Sequence, residues 1–248
     1  MIPKVIHYCW FGGSPLPKDA QKCINSWKKF FPEYKIKEWN EQNFDINSCQ
    51  YIKEAYEAKK YAFVSDYVRF WVIYHEGGIY FDTDVEVIKD MSHIIEKGAF
   101  MGFEKNSAIK NQPIQNILGV NPGLALGSNK LHFFYKEILE FYDNKKHFSI
   151  EDGTVVDYTT NLLRKYGMKE KNCMQKIAGI TIYPAEVFCP IDSTTGIKNI
   201  TEKTVSIHHY SCTWIDHNTI SWKLHEFKNF LIKIFGEKWI LKLCRFFK

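Results

Sequence analysis

The stretch Gly77-Gly78-Ile79-Tyr80-Phe81-Asp82-Thr83-Asp84-Val85 decides how the rest of the chain is read. It opens on two glycines, continues as an apolar strand and ends in two carboxylates one residue apart. Along an extended backbone side chains alternate, so the spacing predicts that Asp82 and Asp84 lie on one side and can share a hard divalent cation. Upstream, 62–75 has helical periodicity, with Asp66 and Arg69 at i, i+3 on one face. Gly77-Gly78 ends that helix and turns the chain into the strand, which brings a charged helix face close to the two aspartates. A simpler role for Asp66 and Arg69 is a surface ion pair.

The chain has 248 residues, 45% of them apolar, enough for one domain with a sizeable core. No uninterrupted apolar run reaches the roughly 18 residues of a membrane span, and the N-terminal residues carry no signal-peptide apolar core. Neither secretion nor a membrane span is therefore expected. Seven cysteines, odd in number and scattered without a C-x-x-C pair, fit reduced thiols in a cytosol. The formal charge of +5 resides in 221–248, where seven Lys or Arg face two acids. The remainder is formally neutral, which argues against a nucleic-acid binder.

From the N-terminus, 4–10 is a buried strand by composition, 11–17 a glycine- and proline-containing loop, 18–31 a helix stopped by Pro32, and 34–39 a second strand. Strand, helix, strand with a glycine loop suggests a nucleotide-binding α/β unit, although G-x-G-x-x-G is absent. A polar connector, 40–47, precedes a helix over 48–60 that Ser48 is expected to start. Beyond the double aspartate, the pattern predicts strands at 85–88 and 99–103, a short helix at 92–96 and a polar loop over 104–116 as a mobile rim. Helices are expected over 129–142 and 154–166, and strands over 180–184 and 204–208.

The run Ser65-Asp66-Tyr67-Val68-Arg69, an apolar spacer, then Gly77-Gly78-Ile79-Tyr80-Phe81-Asp82-Thr83-Asp84 resembles the signature of DXD-containing glycosyltransferases of family 32, the group of yeast α-1,6-mannosyltransferases and bacterial capsule enzymes. The resemblance covers about residues 2–215. It implies a GT-A-like α/β fold, a mixed central sheet flanked by helices, and a nucleotide-sugar donor with Mn²⁺ or Mg²⁺. Asp82 and Asp84 would hold the metal, and Asp66 and Arg69 would contact the donor sugar. Trp10, in an opening similar to the family's, would stack on the nucleotide base, with a core tryptophan as the other reading; His7 fits a hydrogen-bonded core histidine better than a site residue. Asn121, in Val120-Asn121-Pro122-Gly123, would face the donor sugar or simply make a turn. Ser206-Ile207-His208-His209-Tyr210-Ser211-Cys212-Thr213-Trp214 resembles the family's late motif. There a histidine supplies a nitrogen ligand to the metal, the register favouring His209 over His208, and Trp214 closes over the diphosphate. Thr159 and Thr160 are weaker candidates for the acceptor side.

The expected reaction is transfer of a hexose, retaining by family habit, from a nucleoside diphosphate sugar, with UDP favoured by the stacking tryptophan. The expected acceptor is a lipid-linked saccharide of a bacterial capsule or surface polysaccharide, at the inner face of the cytoplasmic membrane. The expected division is a catalytic domain at 1–218 and a basic amphipathic helical segment at 219–248. In that segment Phe227, Phe230, Leu231, Ile234, Trp239, Ile240, Leu243, Phe246 and Phe247 recur among lysines and Arg245, which suits an anionic membrane surface or packing on the domain. Two other functions compete. One is a carbohydrate-binding or membrane-peripheral module with a structural ion. The other is a haloacid-dehalogenase-type phosphatase with Asp82 as nucleophile, against which stand the eighty residues before the motif.

Overall fold

The structure is a computed structural model that describes residues 1–108, 115–192 and 196–211. Its chain order is β1 (Val5–Cys9), α1 (Lys18–Phe30), β2 (Lys35–Trp39), α2 (Gln50–Glu57), α3 (Tyr61–Glu76), β3 (Gly78–Tyr80), β4 (Val85–Val87), α4 (Ser92–Ile95) and β5 (Phe100–Ala108). There follow β6 (Gln115–Asn121), β7 (Leu126–Ser128), α5 (Phe133–Asp143), α6 (Val155–Lys165), β8 (Gln175–Ile177), β9 (Ile180–Tyr183), α7 (Ala185–Phe188) and β10 (Ser206–His208). The main sheet runs β2-β1-β3-β7-β5-β9-β8, with β6 paired to β5, and β10 with β4 forms a separate two-stranded sheet. β1 is parallel to both β2 and β3, whereas β7 is antiparallel to β3. The mixed central sheet flanked by helices that the resemblance implies is present.

Strand alternation sorts the apolar side chains into two clusters. Ile79 and Phe81 join Ile6, Trp27 and Phe100 in one; Tyr80 joins Val64, Val68, Phe134 and Ile138 in the other. Helix α3 is apolar on most of its circumference and is buried between α2, α5 and the sheet, so Asp66 and Arg69 sit in the interior rather than forming a surface pair. Gly78 makes the corner after α3: its φ is +105°, and a Cβ there would lie 2.6 Å from the carbonyl oxygen of Val5. His7 supports the same corner. Trp39 Nε1 donates to its Nδ1 at 3.0 Å, and its Nε2 therefore donates to the Gly77 carbonyl at 2.9 Å. As expected, His7 is a core histidine.

Four expectations need correction. First, β3 ends at Tyr80, and Asp82 and Asp84 occupy the turn into β4, with Val85 N–H donating to the Asp82 carbonyl at 3.1 Å. The chain must leave the main sheet here to enter the small one, so an unbroken strand is impossible. Second, the stretch expected as a loop over 104–116 is strand at both ends: β5 runs to Ala108 and pairs in register with β6, Gly102 opposite Asn121 and Ala108 opposite Gln115, while 109–114 lie outside the described residues. Backbone pairing supplies what low hydrophobicity does not. Third, α2 begins at Gln50 after Cys49, and Ser48 does not cap it. Fourth, α5 begins at Phe133, where the His132 ring accepts from Phe134 N–H at 3.3 Å. Leu131 before it has φ +58°, which no helix continued from 129 would allow. Trp214 and the amphipathic segment 219–248 lie outside the described residues.

Candidate active site

The turn between β3 and β4 is held on both sides. Asp82 N–H donates to the Gly123 carbonyl at 3.0 Å, and His209 N–H donates to the Asp84 carbonyl at 3.0 Å. Asp82 Oδ1 accepts from Tyr80 OH at 3.0 Å and faces Arg69 Nη2 at 3.4 Å. The same Arg69 nitrogen lies 2.7 Å from Asp66 Oδ1, its Nε donates to the Ser65 carbonyl at 3.1 Å, and its guanidinium lies 5.1 Å from the Tyr80 ring centre. One buried cation thus joins the α3 carboxylate to the first aspartate of the turn.

Burial pushes the Asp66 carboxyl up to about 7; the Arg69 charge opposes this and the nearby Asp82 adds to it. Arg69 stays charged: burial works against its cation, but Asp82, Tyr80 and Asp66 more than offset that and raise its pKa. Asp66 therefore titrates near neutrality inside a pair whose other member does not.

Asp84 is held differently. Its Oδ1 lies 3.1 Å from His208 Nε2, and its Oδ2 accepts from Ser211 N–H at 2.8 Å. Burial disfavours its charge, yet His208 and the Ser211 N–H outweigh burial and hold it at about 2. His208 is shifted the other way: burial opposes its cation, and Asp84, Asp82 and Glu104 raise its pKa above the usual histidine value. Its Nδ1 is buried without a hydrogen-bond partner among the described residues.

Asp82, Asp84 and His208 each offer a ligand atom, all within 4.8 Å of one another. Two carboxylates and one imidazole form a mixed oxygen and nitrogen set suited to Mn²⁺, with Mg²⁺ accommodated by the oxygens. The nitrogen of this set is His208 Nε2, which faces Asp84, and the mixed donor set converging at this spacing fits a divalent cation.

The expectation that His209 completes this set is corrected. His208, the last residue of β10 and paired with Val85, turns inward to Asp84, while His209 lies on the other side with its Nε2 2.9 Å from Glu86 Oε2. Alternation along the strand allows only one of the two neighbours inside.

Asn121 is also placed otherwise than a free sugar ligand. Its Oδ1 accepts from Gly123 N–H at 2.7 Å and its Nδ2 donates to Glu104 Oε2 at 2.8 Å, so the side chain closes the turn and spends its amide internally. Trp10 is half-buried where β1 ends; its indole donates to the Ser14 carbonyl at 2.6 Å and its N–H to the Trp39 carbonyl, neither of them part of the carboxylate cluster. Thr160 accepts from Val120 N–H, and Thr159 is fully buried, which leaves neither on an acceptor surface.

Four residues around the centre carry no role in the sequence reading: Tyr80, Gly123, Tyr210 and Glu104. Tyr80 and Tyr210 lie within the quoted motifs, and their hydroxyls were the available signal. Gly123 is demanded by contact, since a Cβ on it would stand 1.9 Å from Asp82 Oδ2. Glu104, alone in a polar stretch, had no signal at all.

Residues 17–101 match the family described as the glycosyltransferase sugar-binding region containing a DXD motif, and this span holds Asp66, Arg69, Asp82 and Asp84. An uncharacterized glycosyltransferase of Acanthamoeba polyphaga mimivirus is 26% identical over 128 residues, 49% of this chain and 51% of the relative. Inositol phosphoceramide mannosyltransferase 1 of Schizosaccharomyces pombe is 25% identical over 111 residues, 40% of this chain and 33% of the relative. The matches thus span about half the length of the viral relative and a third of the yeast one. Among solved structures, PaToxG glycosyltransferase has a TM-score of 0.47 at 18% identity, covering 66% of this chain and 69% of that one. A glycosyltransferase involved in the glycosylation of the major capsid of PBCV-1 has a TM-score of 0.45 at 13% identity, covering 85% and 95%. The similarity to DXD glycosyltransferases expected from the motifs is what the family model returns, and both curated relatives are named as glycosyl- or mannosyltransferases.

Proposed function

We propose that this chain, which carries the DXD sugar-binding region of glycosyltransferases, transfers a hexose from a nucleoside diphosphate sugar to a saccharide acceptor in a metal-dependent reaction. The observation that carries the reading is the convergence of Asp82, Asp84 and His208 beside the buried Asp66–Arg69 pair. A divalent cation bound there would neutralise the charge that gathers on the departing diphosphate. The chain's own residues do the rest. Asp84, kept ionised far below neutral pH, is a permanent anionic ligand. Arg69 draws Asp82 Oδ1 to one side, together with Tyr80 OH, which leaves Oδ2 beside Gly123. Asp66 and Arg69 offer an acceptor and donors side by side, a geometry suited to two neighbouring sugar hydroxyls.

In the transfer, the bond between the anomeric carbon and the diphosphate oxygen breaks and a bond from that carbon to the acceptor oxygen forms. The proton of the acceptor hydroxyl passes to the leaving phosphate oxygen, in the front-face course consistent with retention. UDP as the nucleotide, a lipid-linked acceptor, a role in bacterial surface polysaccharide synthesis and a place at the inner face of the cytoplasmic membrane complete the reading; they rest on the resemblance and on the basic segment 219–248.

The test is release of nucleoside diphosphate from a panel of UDP- and GDP-sugars with Mn²⁺, with and without EDTA, for the wild-type protein and Asp84→Ala. Metal-dependent cleavage of one donor, lost in the variant, is expected. Donor binding without turnover at any acceptor concentration would replace the transferase reading with a binding module.

A further inference from the structure

Glu104 lies on β5, away from the double aspartate in sequence, and is 8% exposed. One of its oxygens, Oε2, accepts two hydrogen bonds: from Asn121 Nδ2 at 2.8 Å and from Tyr210 OH at 3.2 Å. Each donor leads to a different part of the metal-binding set.

Through Asn121 the path reaches Asp82. Asn121 Oδ1 fixes Gly123 N–H, and the Gly123 carbonyl takes the Asp82 N–H while its Cα packs against Asp82 Oδ2. Through Tyr210 the path reaches His208, whose imidazole meets the tyrosine ring edge-on at 4.3 Å between centroids. Tyr210 is held at φ +52°, a conformation costly for a bulky residue and retained only where its surroundings enforce it. The residues on either side of it both bond Asp84, His209 through its N–H to the carbonyl and Ser211 through its N–H to Oδ2. A buried carboxylate is expensive, and an apolar side chain would fill the same space without that cost. Burial raises the Glu104 pKa, against the bonds from Asn121 and Tyr210.

We propose that Glu104 is the positioning residue of the metal centre, one carboxylate oxygen that sets both the Asp82 turn and the His208 imidazole to a common distance. Asn121 then serves the centre by transmitting that position rather than by touching the sugar. The inference rests on the metal-dependent reading of the site.

The experiment is titration of the purified full chain with Mn²⁺ alone, followed by the electron paramagnetic resonance of free Mn²⁺, with pulsed detection of ¹⁴N coupling on the bound ion. Wild type is expected to bind with a nitrogen coupling that His208→Ala removes. Glu104→Ala is expected to bind about tenfold or more weakly, in the range usual for residues that orient metal ligands, with the nitrogen coupling diminished. Glu104→Gln, whose single carbonyl oxygen can accept both bonds, should restore affinity and coupling. Tyr210→Phe keeps the ring and deletes only the hydroxyl, so it reports the His208 arm even where Glu104→Ala fails to fold, and weaker coupling is expected. Wild-type affinity and coupling in a folded Glu104→Ala, or in Tyr210→Phe, would overturn the proposal while leaving the metal centre standing. A wild type that binds no Mn²⁺, or binds it without nitrogen coupling, would remove the centre itself and the proposal with it.

Discussion

At the scale of single residues, neighbours in sequence have opposite duties. His208 is buried against Asp84, while His209 is half-exposed beside Glu86. His208→Ala should therefore weaken Mn²⁺ binding at least about tenfold, whereas His209→Ala should leave it within about twofold; calorimetric titration of both variants checks this, and equal losses would refute the assignment. Gly123→Ala belongs to the same scale, because its methyl group would overlap Asp82 Oδ2. It should lose metal affinity comparably to Asp82→Ala while far-ultraviolet circular dichroism stays unchanged. His7 offers a test by pH. Burial lowers its pKa to about 4 from the ordinary 6.5, against the bond to Gly77, so the folded chain binds fewer protons than the unfolded one between those values. Stability is complete above about pH 6.5 and falls as acid carries the solution down to pH 4, by about 2–3 kcal/mol from this group. Urea denaturation across that window should show a shallower pH slope in His7→Gln than in wild type. The carboxylates, the Asp66/Arg69 pair and the core role of His7 were legible in residue type and spacing. The choice between adjacent histidines was not, since it depends on how β10 pairs with β4, and nothing local in the sequence encodes that register.

At the scale of elements, apolar pattern located α1, α3, α6, β1, β2 and β9 to within a residue or two: α1 and α6 bury one face at helical spacing, whereas β1, β9 and most of α3 are apolar runs buried nearly throughout. It failed where partners, not composition, make the element. The polar strand β5 beyond Phe103 exists because β6 pairs with it, and the Asp82–Asp84 turn exists because β3 and β4 belong to different sheets. The second case has a consequence: convergence of the two aspartates survived although the strand predicted to produce it did not form. Helix α6 shows local encoding at its strongest. Thr154 accepts from Asp157 N–H while Asp157 Oδ2 accepts from Thr154 N–H, a reciprocal cap at the helix start. Thr154→Ala should cost about 1 kcal/mol in denaturant unfolding, and Thr154→Ser should recover most of it. No loss in the alanine variant would mean that packing of Val155, Leu162 and Leu163 sets the helix start instead.

At the scale of the whole molecule, the candidate centre draws its side chains from both sheets, which already share one apolar cluster through Val85, Val87, Ile79 and Phe100. Asp82 follows a strand of the main sheet, whereas Asp84 and His208 meet at the edge of the small β4–β10 sheet. The Asp82 N–H bond to Gly123 anchors the turn on the main-sheet side, the His209 N–H bond to Asp84 anchors it on the small-sheet side, and the Val85 N–H bond to Asp82 closes it. A cation held by all three side chains would cross-link the two sheets in the folded state and find no such site in the unfolded chain. Binding must then stabilise folding by RT ln(1 + [L]/Kd), about 2.7 kcal/mol at a hundredfold excess over Kd. For a chain of this length that corresponds to a rise in melting temperature of several degrees, at about 2–4 °C per kcal/mol. Scanning calorimetry of the full chain with Mn²⁺ should show this rise, EDTA should reverse it, and Asp84→Ala and His208→Ala should each abolish it. His209→Ala should retain it, because Glu86 and His209 lie outside the cluster. Were Mn²⁺ to raise the melting temperature of Asp84→Ala as much as that of wild type, the stabilising site would lie elsewhere, and the three convergent side chains would be a structural ion-pair network instead of a metal centre.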